Sequence, residues 1–195
     1  MWQFIHPRYW LQWVAVFILW LISLLPLPVL ALLGRGLGRL AIVVAKRRVY
    51  IVRRNLELCF PEMSVQQHDQ LIREHFMLLG QAVLSVGINL AASKKRLQRL
   101  VKVRDRHHYD QALDSGKPVI LLAPHFVAME IGGLVLAPDR FMLSMYQAIR
   151  NPLIDTRVRK GRSRYGGVMV ERKSDLRNVI KQLLAVTPFY YLPDQ

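Results

Sequence analysis

His125 and Glu130 are the residues whose types and spacing point most directly to chemistry. They lie in the stretch from Pro118 to Gly133, which reads Pro-Val-Ile-Leu-Leu-Ala-Pro-His-Phe-Val-Ala-Met-Glu-Ile-Gly-Gly. An imidazole takes up a proton near neutral pH, and a carboxylate that accepts its other N–H fixes the tautomer and stabilises the imidazolium. That is the base-and-orienter half of a catalytic triad. No serine or cysteine adjoins His125 to complete it, and the one cysteine, Cys59, lies far upstream. A histidine–carboxylate pair without its own nucleophile suits a base that deprotonates a hydroxyl on the substrate. The blander reading is a hydrogen-bonded turn histidine followed by a solvated glutamate, and spacing alone leaves both open.

The elements around the pair decide whether it can form. Val119–Ala123 is a short, β-branched apolar run bounded by prolines, which predicts a buried strand. Pro124 stops it, and 126–136 reads as a helix. His125 then falls in a strand-to-helix turn at the carboxyl end of a strand, where open α/β sheets hold their ligands. A five-residue step along a helix rotates about 140°. The two side chains therefore meet only if His125 stays in the turn and folds back over the first helical turns. Downstream, the pattern predicts a strand over 141–146 and a helix from Asn151-Pro152 through Arg164. A strand over 168–170, a helix capped by Ser174 to about Val186, and a strand over 188–192 follow. Strands alternating with helices predict an α/β fold with a largely parallel (mixed) sheet flanked by helices.

Upstream the chain changes character. Its 195 residues carry 28 Lys and Arg against 13 acidic residues, net +15, yet 52% are hydrophobic. A cationic and greasy chain fits an anionic membrane face, and no nucleic-acid-binding signature is present to favour DNA or RNA. Residues 9–25 are uncharged and almost wholly apolar, at the short limit for a spanning helix. Pro26 and Pro28 interrupt the run, but 27–33 carries the apolar character onward. One cation, Arg8, precedes the segment and seven follow it up to Arg54, which orients the following chain to the cytoplasm. Gly34-x-Gly36-x-Gly38 allows close helix packing or a kink, and Leu37–Ala45 running into Lys46-Arg47-Arg48 suits a helix at headgroup level. Ser64 and Gln67 form a capping box for a helix from about Val65 towards Leu90. Lys94, Lys95, Arg96 and Arg99 make a second basic cluster, for headgroups or an acidic carrier. A short helix around His107–Leu113 ends at Gly116, and its paired histidines lack a third ligand. Cys59, in an apolar helical context, reads as an inert buried thiol. The organisation expected is a transmembrane anchor over 1–33, a basic membrane-associated helical region over 34–100, and an α/β catalytic region over 101–195.

Several of these stretches resemble one family. Pro124-His125-Phe126 with Glu130 and Gly132-Gly133 resembles the His-x4-Asp/Glu motif of glycerolipid-type acyltransferases. Arg53-Arg54-Asn55-Leu56-Glu57-Leu58-Cys59-Phe60-Pro61, Gly161-Arg162 and Tyr191-Leu192-Pro193-Asp194 are similar to segments of the lipid A secondary (lauroyl and myristoyl) acyltransferases of Gram-negative bacteria. Pro124 departs from the pattern, many members having a different residue before the histidine. The resemblance implies a glycerolipid acyltransferase-like fold, with His125 and Glu130 catalytic and Arg162 and Asp194 substrate-binding. It also implies an acyl carrier protein thioester as donor and a hydroxyl of a Kdo-bearing lipid A precursor as acceptor. Arg162 would bind an anionic substrate group or the carrier's phosphopantetheine arm, with Asp194 orienting it, or the pair would be a structural salt bridge. No metal or redox cofactor is implied. The partners implied are the acyl carrier protein, the lipid A precursor and anionic inner-membrane lipid, with single-pass attachment to the bacterial inner membrane. Family members continue beyond this point, so the expectation is an amino-terminal part of a longer enzyme, unstable and inactive by itself. Two rivals remain: another glycerolipid-type acyltransferase, and a non-catalytic protein that binds anionic lipid.

Overall fold

The computed structural model describes residues 4–127, 129–138, 141–172 and 176–192. The chain divides into two compact units, Leu19–Ile88, and Met1–Ile18 with Asn89–Gln195.

The first of these is helical. Helix α1 (Trp10–Ser23) ends in it, followed by α2 (Leu27–Val44), α3 (Lys46–Cys59) and most of α4 (Val65–Ala91). The apolar run over 9–33 is two helices, broken where the prolines interrupt it. Pro28 is the reason: its missing N–H is harmless in the first turn of α2, but its ring excludes a helix running into it from upstream. At 14 residues α1 rises only about 21 Å, short of a hydrocarbon core of about 30 Å. Helices α2 and α4 are both long and apolar enough to cross a membrane. Along α2 the buried positions are Leu30, Gly34 and Gly38, one face at four-residue spacing. That face meets the α4 backbone: a Cβ at Gly38 would lie 2.2 Å from the Phe76 carbonyl oxygen, and one at Gly80 would lie 2.1 Å from that of Gly34. Gly36 points into open space. The glycines pack α2 closely without kinking it. The capping box forms as predicted, Ser64 N–H donating to Gln67 Oε1 at 2.7 Å and Gln67 N–H to Ser64 Oγ at 3.3 Å. Cys59, at the end of α3, is exposed rather than buried; it lies one position from the cap, off the interior of the helix.

The second unit holds the sheet. Helices α5 (Lys94–Leu100) and α6 (Arg106–Asp114) lead into β1 (Ile120–Leu122), α7 (Met129–Leu136), β2 (Met142–Tyr146), α8 (Pro152–Ser163), β3 (Gly167–Glu171), α9 (Leu176–Leu184) and β4 (Phe189–Tyr191). All pairings are parallel, in the order β1-β4-β2-β3. The last strand thus enters between the first and the second. Right-handed crossovers put α7 and α8, which move the chain one way, on one face and α9, which returns it, on the other. The contacts agree. Val179 of α9 packs with Leu143 and Phe189 on one face, while Tyr190, between them in alternation, meets α7 on the other.

Two boundaries differ from the sequence pattern for local reasons. Helix α7 begins at Met129, not Phe126, because Phe126 N–H bonds back to the Pro124 carbonyl at 2.7 Å and closes a three-residue turn around His125. Helix α9 stops at Leu184, short of Val186. Thr187 N–H reaches the Gln182 carbonyl and Val186 N–H that of Leu183, which is the Schellman pattern with Val186 at the left-handed position, φ +63°. Glycine usually occupies that position; a β-branched residue there is strained. Ser174, the expected cap of α9, lies outside the described residues.

Candidate active site

The turn after β1 puts His125 at its centre, exposed, just past the strand's carboxyl end. Ala123 N–H bonds to the Tyr191 carbonyl at 2.8 Å, so the β1–β4 ladder holds the chain until two residues before the histidine. Glu130 follows in the first turn of α7, where the free N–H groups of the helix favour a negative charge. Arg162 lies in the last turn of α8, where the carbonyl ends favour a positive one. The two helices sit on the same face of the sheet, and their complementary ends meet. Arg162 Nε donates to Glu130 Oε2 at 2.8 Å and Nη2 donates to Oε1, a two-pronged pair. Both side chains are about 30% exposed or less, 30% for Arg162 and 27% for Glu130, so the pair is shielded on most sides.

Tyr190 supports this arrangement from below. Its hydroxyl donates to the Met129 carbonyl at 2.9 Å, one residue before Glu130. It lies against Gly132 and Gly133: an added Cβ at Gly132 would come 3.4 Å from its hydroxyl oxygen, and one at Gly133 3.8 Å from its ring. Burial, reinforced by the nearby Glu130 carboxylate, pushes the phenol above its usual pKa, so it remains a neutral donor. Sequence reasoning missed Tyr190. The available signal was the period of two in β4, which turns Phe189 to one face and Tyr190 to the other.

These groups border a cavity of about 530 Å3. His125, Gln147 and Arg172, each just beyond a strand's carboxyl end, are exposed and form its mouth. Leu134, Ala137 and Met142 are buried and close its inner end. Between lie Met129, Met169 and Tyr190. An apolar slot thus runs beneath α7 from a polar mouth. Ser144, on β2 in register with Tyr190, also lines it.

Of the four residues expected to do chemistry, the structure brings three, His125, Glu130 and Arg162, to one cavity. The partner it gives Arg162 is Glu130; Asp194, the partner expected, lies outside the described residues. Among the described residues, no group of three His, Cys, Asp or Glu side chains is placed to hold a metal ion.

The family described as bacterial lipid A biosynthesis acyltransferase matches residues 1–195. The chain is 37% identical over 190 residues to the lipid A biosynthesis lauroyltransferase of Escherichia coli K12, covering 97% of this chain and 62% of that protein. It is 34% identical over 193 residues to the lipid A biosynthesis palmitoleoyltransferase of the same strain, covering 99% and 63%. Against its lipid A biosynthesis myristoyltransferase the identity is 32% over 198 residues, covering 99% and 60%. The chain spans about three fifths of the length of these relatives.

Proposed function

Because the chain belongs to the bacterial lipid A biosynthesis acyltransferase family, we propose that it carries the base and the acyl-chain site for transfer of a fatty acyl group from an acyl carrier protein thioester to a hydroxyl of a Kdo-bearing lipid A precursor. The observation that carries this reading is the convergence of His125, Glu130 and Arg162 on an apolar slot with a polar mouth. The slot accepts the hydrocarbon chain, leaving its thioester at the mouth. His125 removes the proton of the acceptor hydroxyl as that oxygen attacks the thioester carbonyl. The new C–O bond forms, the carbonyl becomes an oxyanion, and backbone N–H groups at the start of α7 stabilise it. Collapse breaks the C–S bond, and the imidazolium returns its proton to the leaving thiolate, which regenerates the base.

Glu130 stabilises the imidazolium. Arg162 holds Glu130 in place, and a carboxylate engaged through both oxygens still has lone pairs for an imidazole N–H. No covalent enzyme intermediate and no metal or redox cofactor take part. Asp194 belongs to the same substrate-binding set in this reading. The protein sits on the bacterial inner membrane by its apolar helices and anionic-lipid contacts, with the catalytic face toward the cytoplasm. The cytoplasmic orientation rests on the cation count either side of the first apolar run.

The test is transfer by the full-length protein in detergent, with acyl carrier thioesters and the Kdo-bearing precursor. His125→Ala should lose at least a hundredfold in rate. Ser144→Ala should keep parental activity, since no acyl-serine forms. Parental transfer by the His125 variant, or loss confined to the Ser144 variant, would overturn the assignment.

A further inference from the structure

The cavity lining contains two arginines among the described residues, Arg162 and Arg172. Arg162 turns Nε and Nη2 onto Glu130, so its side-on edge is already occupied and only its Nη1–Nη2 end is left. Its charge is also compensated there. Arg172 differs on both counts. It is the first residue after β3, and its backbone N–H donates to the Tyr146 carbonyl at 2.9 Å, which extends the β2–β3 ladder by one residue and fixes its position. Its guanidinium is exposed at the mouth and makes no ion pair or side-chain hydrogen bond among the described residues. With Glu130 matched by Arg162, the fixed charge left among the described lining residues is that of Arg172. A guanidinium presents parallel N–H donors whose spacing matches two oxygens of a phosphate.

We propose that Arg172, rather than Arg162, is the anion-binding residue of this site and that it takes a phosphate group of a substrate whose acyl chain or hydroxyl is presented at the cavity mouth. The inference rests on the acyl-transfer reading above. Two phosphates fit its chemistry, the diester of a thioester donor's carrier arm and a phosphate borne by the acceptor. Arg162 then has one duty, holding Glu130, and Arg172 the other.

The test uses the full-length protein in nonionic detergent, as wild type, Arg172→Gln and Arg172→Lys. First, dodecyl phosphate and dodecanol are titrated calorimetrically. Dodecyl phosphate should bind Arg172→Gln about tenfold more weakly than wild type, the loss expected for one charge-assisted contact, with Arg172→Lys between them and dodecanol unchanged. Thermal unfolding should not move, because the side chain supports nothing in the fold. Equal binding of dodecyl phosphate to wild type and Arg172→Gln, or an equal weakening of dodecanol, overturns the proposal.

Second, steady-state transfer separates the sources. Arg172→Gln should raise KM about tenfold for one co-substrate with kcat within twofold. A donor source predicts that the penalty disappears with an N-acetylcysteamine thioester of the same chain. An acceptor source predicts that it disappears with a dephosphorylated acceptor. A KM penalty that survives both phosphate removals, or no KM change for either co-substrate, overturns the assignment to a substrate. If dodecyl phosphate binding depends on Arg172 while the wild type transfers no acyl group to any acceptor, the acyl-transfer reading falls and the anion site stands.

Discussion

At the scale of single residues, the site depends on a carboxylate held from two sides and a phenol kept neutral. Glu130 sits in the first turn of α7 and accepts both prongs of Arg162. For Tyr190, burial and the same carboxylate oppose ionisation, so its O–H stays available to the Met129 carbonyl. Tyr190→Phe keeps the ring against Gly133 but loses this bond. It should cost about 0.5–1.5 kcal/mol of stability and lower kcat more than it raises KM, because Glu130 is the next residue. The pH dependence has a definite sign. A phenol whose folded pKa is raised contributes stability that is complete below the usual tyrosine value near 10.0 and is lost as pH climbs through the raised folded value. Thermal unfolding measured from pH 8 to 11 should therefore fall more steeply for the wild type than for Tyr190→Phe above about pH 10. Parallel curves would remove Tyr190 from this role.

At the scale of elements, the glycines of α2 separate by a single criterion, what their missing side chains would touch. Gly34 and Gly38 lie one turn apart on the face against α4, where the backbones approach too closely for any Cβ. Gly36 lies off that face with nothing within 4 Å. Gly36→Ala should stabilise by about 0.5–1 kcal/mol, the ordinary difference in helix propensity. Gly38→Ala must move Phe76 backbone and should destabilise by about 1–3 kcal/mol or more, as overpacking does. Thermal unfolding of the two variants in detergent should bracket the wild type, and shifts of the same sign would show that α2 and α4 do not pack this way.

At the scale of the whole molecule, the greasy, cationic composition resolves into surfaces. Leu33, Leu37, Leu40 and Val44 of α2 are exposed at helical spacing, beside the buried Leu30–Gly34–Gly38 face. Water would leave such a stripe costly, at about 25 cal/mol per Å2 of apolar surface, and a bilayer would not. Replacing Leu33, Leu37 and Leu40 together by Gln should move the protein from the membrane pellet to the supernatant after a high-salt wash, when attraction of the basic surface to anionic headgroups is screened. At low salt part of it should stay bound. Retention of the triple variant at high salt would show that this face is not the one lipid covers.

The sequence by itself determined what depends on a few neighbouring residues. The strand–helix alternation from β1 to β4, the capping box at Ser64, the arrest of the strand at Pro124 and the place of His125 in a turn all rest on turn chemistry, side-chain period and local hydrogen bonds. It also marked Glu130, by its type and its spacing from His125, and Arg162, through resemblance of its surroundings to a family. Tertiary structure alone decided which of these meet. Arg162 and Glu130 are 32 residues apart and Tyr190 is 61 from Met129; both contacts exist because β4 enters between β1 and β2 and because α7 and α8 lie on one face. Strand order is set by packing across the whole sheet, and no local pattern encodes it. A side chain's type fixes what it can bind, but its partner depends on the chain that folding brings beside it.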